Sequence, residues 1–188
     1  MFTWDKTVCI TARRLCTRPF PKQIARVAAL HPRAVILREK DLDEAAYAEL
    51  LRQTAPICAA EGVPLIAHTY ADAALSCGIR RLHLPMEAFL RMSPSARSRF
   101  DFIGASAHSV SDACAAEAAG ASYVTASHIF PTDCKPGLPP RGLPFLQEVV
   151  QSVSIPVVAL GGIDETNTES CLAAGADAVA MMSRFMKI

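Results

Sequence analysis

The chain has 188 residues, enough to bury a sizeable core as one domain, and its 19 basic and 18 acidic residues leave a net charge of +1. That balance, with no basic run, lacks the electrostatic footprint of a nucleic-acid binder, and no window reaches the roughly 18 apolar residues that cross a bilayer, so neither partner is expected. Seven scattered cysteines, none in a Cys-x-x-Cys pair, read as reduced thiols of a cytoplasmic protein, and Met1–Thr7 lacks the basic and long apolar stretches of a signal peptide.

The first predicted strand is Thr7–Ala12, followed by Ile24, Val27, Ala28 and Leu30 at helical spacing. The second, Ala34–Leu37, runs into Arg38-Glu-Lys40, and the third, Pro64–Ala67, into His68-Thr-Tyr70. Leu75-Ser-Cys-Gly78 leads to the fourth, Arg81–Leu84. Met86–Arg99 contains Pro94 and little apolar periodicity, which predicts a short, irregular helix. The fifth strand, Phe102–Ser106, ends in Ala107-His108, and Ser109-x-x-Asp112 has the form of a capping box.

Ala118-Ala-Gly120 leads to the sixth strand, Ser122–Ala126. Ser127–Gly142 holds four prolines and two glycines, which exclude helix and predict the longest loop of the chain. Leu143, Leu146, Val149 and Val150 mark the next helix; the seventh strand is Ile155–Leu160, and Gly161-Gly162 precedes a helix start with a capping pattern at Thr166-x-x-Glu169. Ala173-Ala-Gly175 leads to the eighth strand, Asp177–Met182. In each of the three Gly-ended segments the glycine stands where a helix ends in the left-handed conformation.

Eight continuous apolar strands alternating with helices are the pattern of parallel strands buried on both faces. No Gly-x-Gly-x-x-Gly follows the first strand, which speaks against an open dinucleotide-binding sheet. The expected fold is therefore an α/β TIM (β/α)8 barrel, a single domain over residues 1–188. It is compact, because such barrels typically run to ~250 residues.

A barrel of this kind carries its chemistry at the carboxyl ends of the strands, with phosphate bound after strands seven and eight. Gly161-Gly162 and the following helix start fit an anion, and Met182-Ser183 adds a further N–H and a hydroxyl. Arg38 and Lys40 suit an anionic substrate. The loop Ser127–Gly142 carries His128 at its base, the cations Lys135 and Arg141, and the hydrogen-bonding pair Thr132-Asp133. His128 is the candidate acid–base, since imidazole titrates near neutral pH. Cys134 in the same loop is an alternative nucleophile. His68, His83, His108 and His128 share no tight ligand spacing, so no metal is expected.

The segments Leu37-Arg-Glu-Lys40, Ser106-Ala-His108, Ile129-Phe-Pro-Thr132, Lys135-Pro-Gly137 and Val158-Ala-Leu-Gly-Gly-Ile163 resemble the thiamine phosphate synthase superfamily. Its synthase branch joins a pyrimidine diphosphate to a thiazole phosphate. Its TenI-like branch contains thiazole tautomerases, which aromatise a carboxythiazole phosphate. The synthase pattern has Asn-Asp-Arg after strand three, where the aspartate helps hold Mg²⁺; here His68-Thr69-Tyr70 stands there. The glutamine expected before Leu-Arg-x-Lys is Ile36, and Ser127-His128 replaces Gly-Pro ahead of Ile-Phe. His128 with Thr132-Asp-Cys-Lys135 and Arg141-Gly142 resembles the tautomerase pattern.

The resemblance to that branch implies His128 as the catalytic residue. It implies substrate contacts at Arg38, Lys40, Ser106, Thr132, Asp133, Cys134, Lys135, Gly162, Met182 and Ser183, with a phosphorylated thiazole as substrate and no cofactor. A homodimer is in keeping with small barrels of this kind. The synthase activity and a non-catalytic thiazole-phosphate-binding regulator stay open as alternatives.

Overall fold

Continuous apolar runs demand burial on both faces, and a computed structural model of the chain meets that demand with eight strands in sequence order, closed as a barrel. It describes residues 2–133, 135 and 137–188. In chain order the elements are β1 Thr7–Ile10, α1 Phe20–Ala28, β2 Ala34–Leu37, α2 Glu44–Ala60, β3 Leu65–His68, α3 Ala71–Ser76, β4 Arg81–Pro85, α4 Met86–Arg91, α5 Pro94–Arg97, β5 Phe102–Ala107, α6 Val110–Ala118, β6 Tyr123–Ser127, α7 Gly142–Ser152, β7 Val157–Leu160, α8 Thr168–Ala173, β8 Ala178–Met181 and α9 Ser183–Lys187. The single irregular helix expected over Met86–Arg99 is two short ones, because Pro94 opens a new helix at its first turn and Ser93 caps it.

The chain divides into two compact units. One comprises residues 3–83 and 182–188. In it β1, β2 and β3 are parallel neighbours, with Ile10 level with Ile36 and Leu37 level with Ala67, and every residue of these strands is buried. α1 turns Ile24, Val27 and Ala28 inward and ends at Ala28, so Leu30 lies just outside the helix that its spacing suggested. α2 starts on Asp43, whose carboxylate accepts the Ala46 N–H at 2.8 Å, and buries Tyr47, Leu51 and Cys58 along one stripe.

The other unit holds residues 84–181 with Phe2. There β5, β6, β7 and β8 run parallel, with Ala107 level with Ala126, Ser127 with Leu160, and Leu160 with Ala180. α6 is capped by Ser109, which accepts the Asp112 N–H at 3.0 Å, while the Asp112 carboxylate takes the His108 N–H at 2.8 Å, one residue earlier than a strict capping box. The second such pattern fails. Thr166 turns back on Asp164 through both its N–H and its hydroxyl, and α8 begins at Thr168 after Asn167, without a side-chain cap.

Gly78, Gly120 and Gly175 all adopt positive φ at the helix ends, as their positions suggested. The six described cysteines are free thiols, and among the described residues no helix is long and apolar enough to cross a membrane.

Candidate functional site

The long loop leaves β6 and returns to α7, and main chain fastens both its ends. On the outgoing side Ile129 N–H donates to Leu160 O and Phe130 N–H to Gly161 O, both at 3.0 Å. On the returning side Arg141 N–H donates to His128 O and Gly142 N–H to Ile129 O, again at 3.0 Å. His128 stands at the crossing of these four bonds. It is 5% exposed, follows a cis peptide bond from Ser127, and has its Nε2 3.4 Å from Leu138 O, a weak contact.

Gly161 and Gly162 make this crossing possible. Both have positive φ, 106° and 66°. A Cβ on Gly161 would stand 2.3 Å from His128 Cβ and 2.8 Å from its Cα, and one on Gly162 would stand 2.3 Å from Pro131 O. The pair was expected to open a path for an anion to the main chain ahead of a helix start. Its first demand is instead the approach of the His128–Pro131 segment, which leaves no room for a side chain. The helix start expected directly after it is also displaced: Asn167 Nδ2 bonds back to Gly162 O, and Glu165–Asn167 form a turn before α8.

Of the other expected contacts in this unit, Ser106 lies on β5 level with Thr125 of β6. Thr132 and Lys135 are half-buried and joined by a bond from Lys135 N–H to Thr132 O at 3.1 Å, whereas Asp133 is exposed. The Arg141 guanidinium lies over the Phe145 ring, 4.8 Å from its centroid. Cys134 lies outside the described residues. His108, left over by the sequence reading, accompanies this group: its Nδ1 lies 3.0 Å from Ser127 Oγ. Burial and the nearby Lys135 charge push its pKa down, with Arg141 adding to the effect, while its contact with the Ser127 main chain and Asp112 oppose it.

In the unit of residues 3–83 and 182–188, the end of β2 alternates sides. Glu39 is buried and accepts from Thr11 Oγ1 at 2.7 Å and from the Arg13 N–H at 3.1 Å, with Arg13 Nε 3.4 Å away. Thr11 Oγ1 in turn accepts the Arg38 N–H at 2.9 Å. This carboxylate was missed, although a Glu between two cations at strand spacing signals that it faces the other way. Arg38 is half-buried and Lys40 exposed; the Arg38 charge, and then burial, lower the Lys40 ammonium. Met182 is half-buried and Ser183 exposed, at the start of α9.

His68 and His83, level neighbours on β3 and β4, stack with ring centroids 5.7 Å apart. Burial above all holds both neutral, with pKa values of about 2 for His68 and about 3 for His83; the Arg38 charge adds to both. The Tyr47 hydroxyl joins β2 to β3, donating to Leu37 O at 2.6 Å and accepting the His68 N–H at 2.7 Å.

A family profile described as thiamine monophosphate synthase matches residues 7–185. A putative thiamine-phosphate synthase 2 of Aquifex aeolicus is 34% identical over 95% of this chain and 96% of its own length. A thiamine-phosphate synthase of Gloeobacter violaceus is 32% identical over 92% of this chain, which spans only 52% of that protein. Among solved structures, a thiamine phosphate pyrophosphorylase from Pyrococcus furiosus superposes with a TM-score of 0.82 at 28% identity, covering 96% of this chain and 87% of the other.

Proposed function

Because the chain belongs to the thiamine monophosphate synthase family, we propose that it is an enzyme of thiamine biosynthesis, and that it isomerises a carboxylated thiazole phosphate by proton transfer through His128. The observation that carries this reading is the placement of His128. A buried imidazole is fixed by main-chain bonds at the carboxyl end of β6 and faces a loop that carries cations. Aromatisation removes a proton from ring C2 and delivers one to the exocyclic carbon, and one base that becomes an acid can do both. Ser106, Thr132, Asp133, Lys135 and Gly162 are the proposed substrate contacts of this unit, Gly162 through its N–H to the phosphate. Arg38, Lys40, Met182 and Ser183 are those proposed in the other. Negative charge that spreads toward the carboxylate in the transition state is stabilised by a nearby cation.

The names of the relatives favour a second reading, the transferase that joins a pyrimidine diphosphate to a thiazole phosphate. Its pattern holds Mg²⁺ through an aspartate after the third strand. Mg²⁺ takes hard oxygen ligands. At the end of β3 the side chain is the His68 imidazole, stacked on its level neighbour His83 of β4; both are neutral, with the Arg38 charge close enough to depress both, and this donor set does not fit the ion. That misfit supports the isomerase over the transferase.

One assay separates the readings. Incubation with the exocyclic carboxythiazole phosphate isomer, followed by ultraviolet absorbance, is expected to show aromatisation, slowed about 10²–10⁴-fold in His128→Ala. Undiminished turnover in that variant would sink the role of His128. Mg²⁺-dependent release of pyrophosphate from the pyrimidine diphosphate, with the pyrimidine joined to added thiazole phosphate, would establish the transferase instead, and a bound carboxythiazole phosphate isomer left unchanged by the wild-type protein would make it a non-catalytic regulator.

A further inference from the structure

Four polar side chains gather on one face of the β5–β6 pair. Ser106 is level with Thr125, and one step of alternation further on His108 meets Ser127. The opposite face is Ala105, Ala107, Val124 and Ala126, all buried and apolar. We propose that this polar face is the binding site for the substrate's carboxylate, with the His108 Nε2 and the Thr125 hydroxyl as the donors that meet it. The proposal rests on the carboxylated substrate argued above.

Two independent observations point to a ligand. The first is Thr125: its Oγ1 is buried and, among the described residues, has no hydrogen-bond partner. A hydroxyl shut away from water without a partner is costly, and a ligand oxygen would remove that cost. The second is how His108 is held. Its main-chain N–H is bonded to Asp112 on α6 and its Nδ1 contacts Ser127 Oγ of β6, which fixes the ring at the end of β5. Nε2 has no partner among the described residues, and His108 is exposed. Nδ1 lies 3.0 Å from the Ser127 hydroxyl and 3.4 Å from the Ser127 main-chain oxygen, and where the nearer hydroxyl donates to it the neutral ring carries its hydrogen on Nε2 and presents a donor.

The surrounding charge suits an anion. The groups that act on His108 are Lys135 and Arg141 of the loop and Asp112 of α6, two cations against one carboxylate. The cations, with burial, hold its proton off. A bound carboxylate offsets them and draws the proton back, so the anion binds together with a fraction of a proton and binds more tightly as the pH falls. One hydroxyl and an imidazole N–H suit a small planar anion, whereas the phosphate has its own proposed contact at Gly162.

Calorimetry on the full chain tests this with two ligands that do not turn over: the aromatic carboxythiazole phosphate and the thiazole phosphate lacking the carboxylate. The wild type is expected to take up protons with the carboxylated ligand only, read from the dependence of the heat on buffer ionisation, and to bind it more tightly at pH 6 than at pH 8. His108→Asn, which can keep the Ser127 contact but loses Nε2, is expected to weaken that ligand about tenfold or more and to abolish the proton uptake. Thr125→Val is expected to weaken it several-fold. Both variants are expected to bind the ligand without carboxylate as the wild type does, which also shows that they are folded. Equal affinity of wild type and variants for the carboxylated ligand would overturn the proposal, as would an equal loss for both ligands, which would assign the site to the phosphate. Wild-type protein that binds neither ligand would overturn the substrate reading, and this proposal with it.

Discussion

The carboxyl ends of β6 and β7 are framed by main chain, whereas those of β2 and β3 are framed by side chains. Around His128 the fixed geometry comes from four N–H···O bonds and from two glycines whose hydrogens stand where any Cβ would collide. Around His68 it comes from the Tyr47 hydroxyl, the Glu39 carboxylate shared by Thr11 and Arg13, and two imidazoles held neutral against each other. Among the described residues the first frame gives its imidazole only the weak contact to Leu138 O, as suits a group that must gain and lose a proton. The second commits its polar atoms to one another and depresses its histidines, as suits a donor wall that does not titrate. Each is therefore broken by a different kind of substitution.

The main-chain frame is expected to be the more fragile. Gly161→Ala puts a methyl 2.3 Å from His128 Cβ and forces a side chain into φ 106°, so it should cost about 3 kcal/mol or more in denaturant unfolding and displace His128. Gly78→Ala is the control: φ there is 72°, but nothing lies within 4 Å of the new Cβ, and the cost should be about 1 kcal/mol. Equal losses would mean that the crossing at His128 yields easily and that its glycines serve only the turn.

Among the side chains, Glu39→Ala strips Arg13 and Thr11 of a buried acceptor and is expected to cost about 3 kcal/mol. Arg13 keeps its bond to Asp41, on an exposed carboxylate 2.7 Å away, so the loss should fall on the β1–β2 ends rather than on surface charge. Glu39→Gln, which preserves one acceptor oxygen, should recover part of the stability; a null effect in both would remove Glu39 from the frame.

How much of this is legible in the sequence follows the range of the interactions. The eight strands are, because a run such as Ala34–Leu37 must be buried on both faces wherever its neighbours lie, and each observed strand ends within two residues of its expected limits. The place of His128 is legible too, since a proline-rich loop begins there. The reason for Gly161-Gly162 is not: the pair announces a turn, but the backbone that fills its empty side comes from a segment some thirty residues earlier. The same holds for His108 with Ser127 and for Glu39 with Thr11, which meet only through the strand register. The capping pattern at Thr166 misled because Asp164, two residues upstream, takes both the N–H and the hydroxyl of Thr166.

Acid exposes the cost of the side-chain frame. His68 and His83 have folded pKa values of about 2 and about 3, depressed from the ordinary 6.5, so the unfolded chain takes up protons below pH 6.5 that the folded chain refuses. Stability then rises with pH in this window and is lost as the pH falls. Between pH 7 and pH 5 each histidine should cost about 2 kcal/mol, a figure that depends on the unfolded value and only requires the folded one to lie well below 5. The groups that face the pair are Arg38, which adds to the depression of both, and Lys40, which adds to that of His68; neither changes charge in that range. His68→Asn should therefore lose about 2 kcal/mol less than the wild type between those two pH values in urea titrations. A His68→Asn profile parallel to the wild type would mean that the imidazole is protonated in the folded state, and the donor wall at β3 and β4 would then carry a charge.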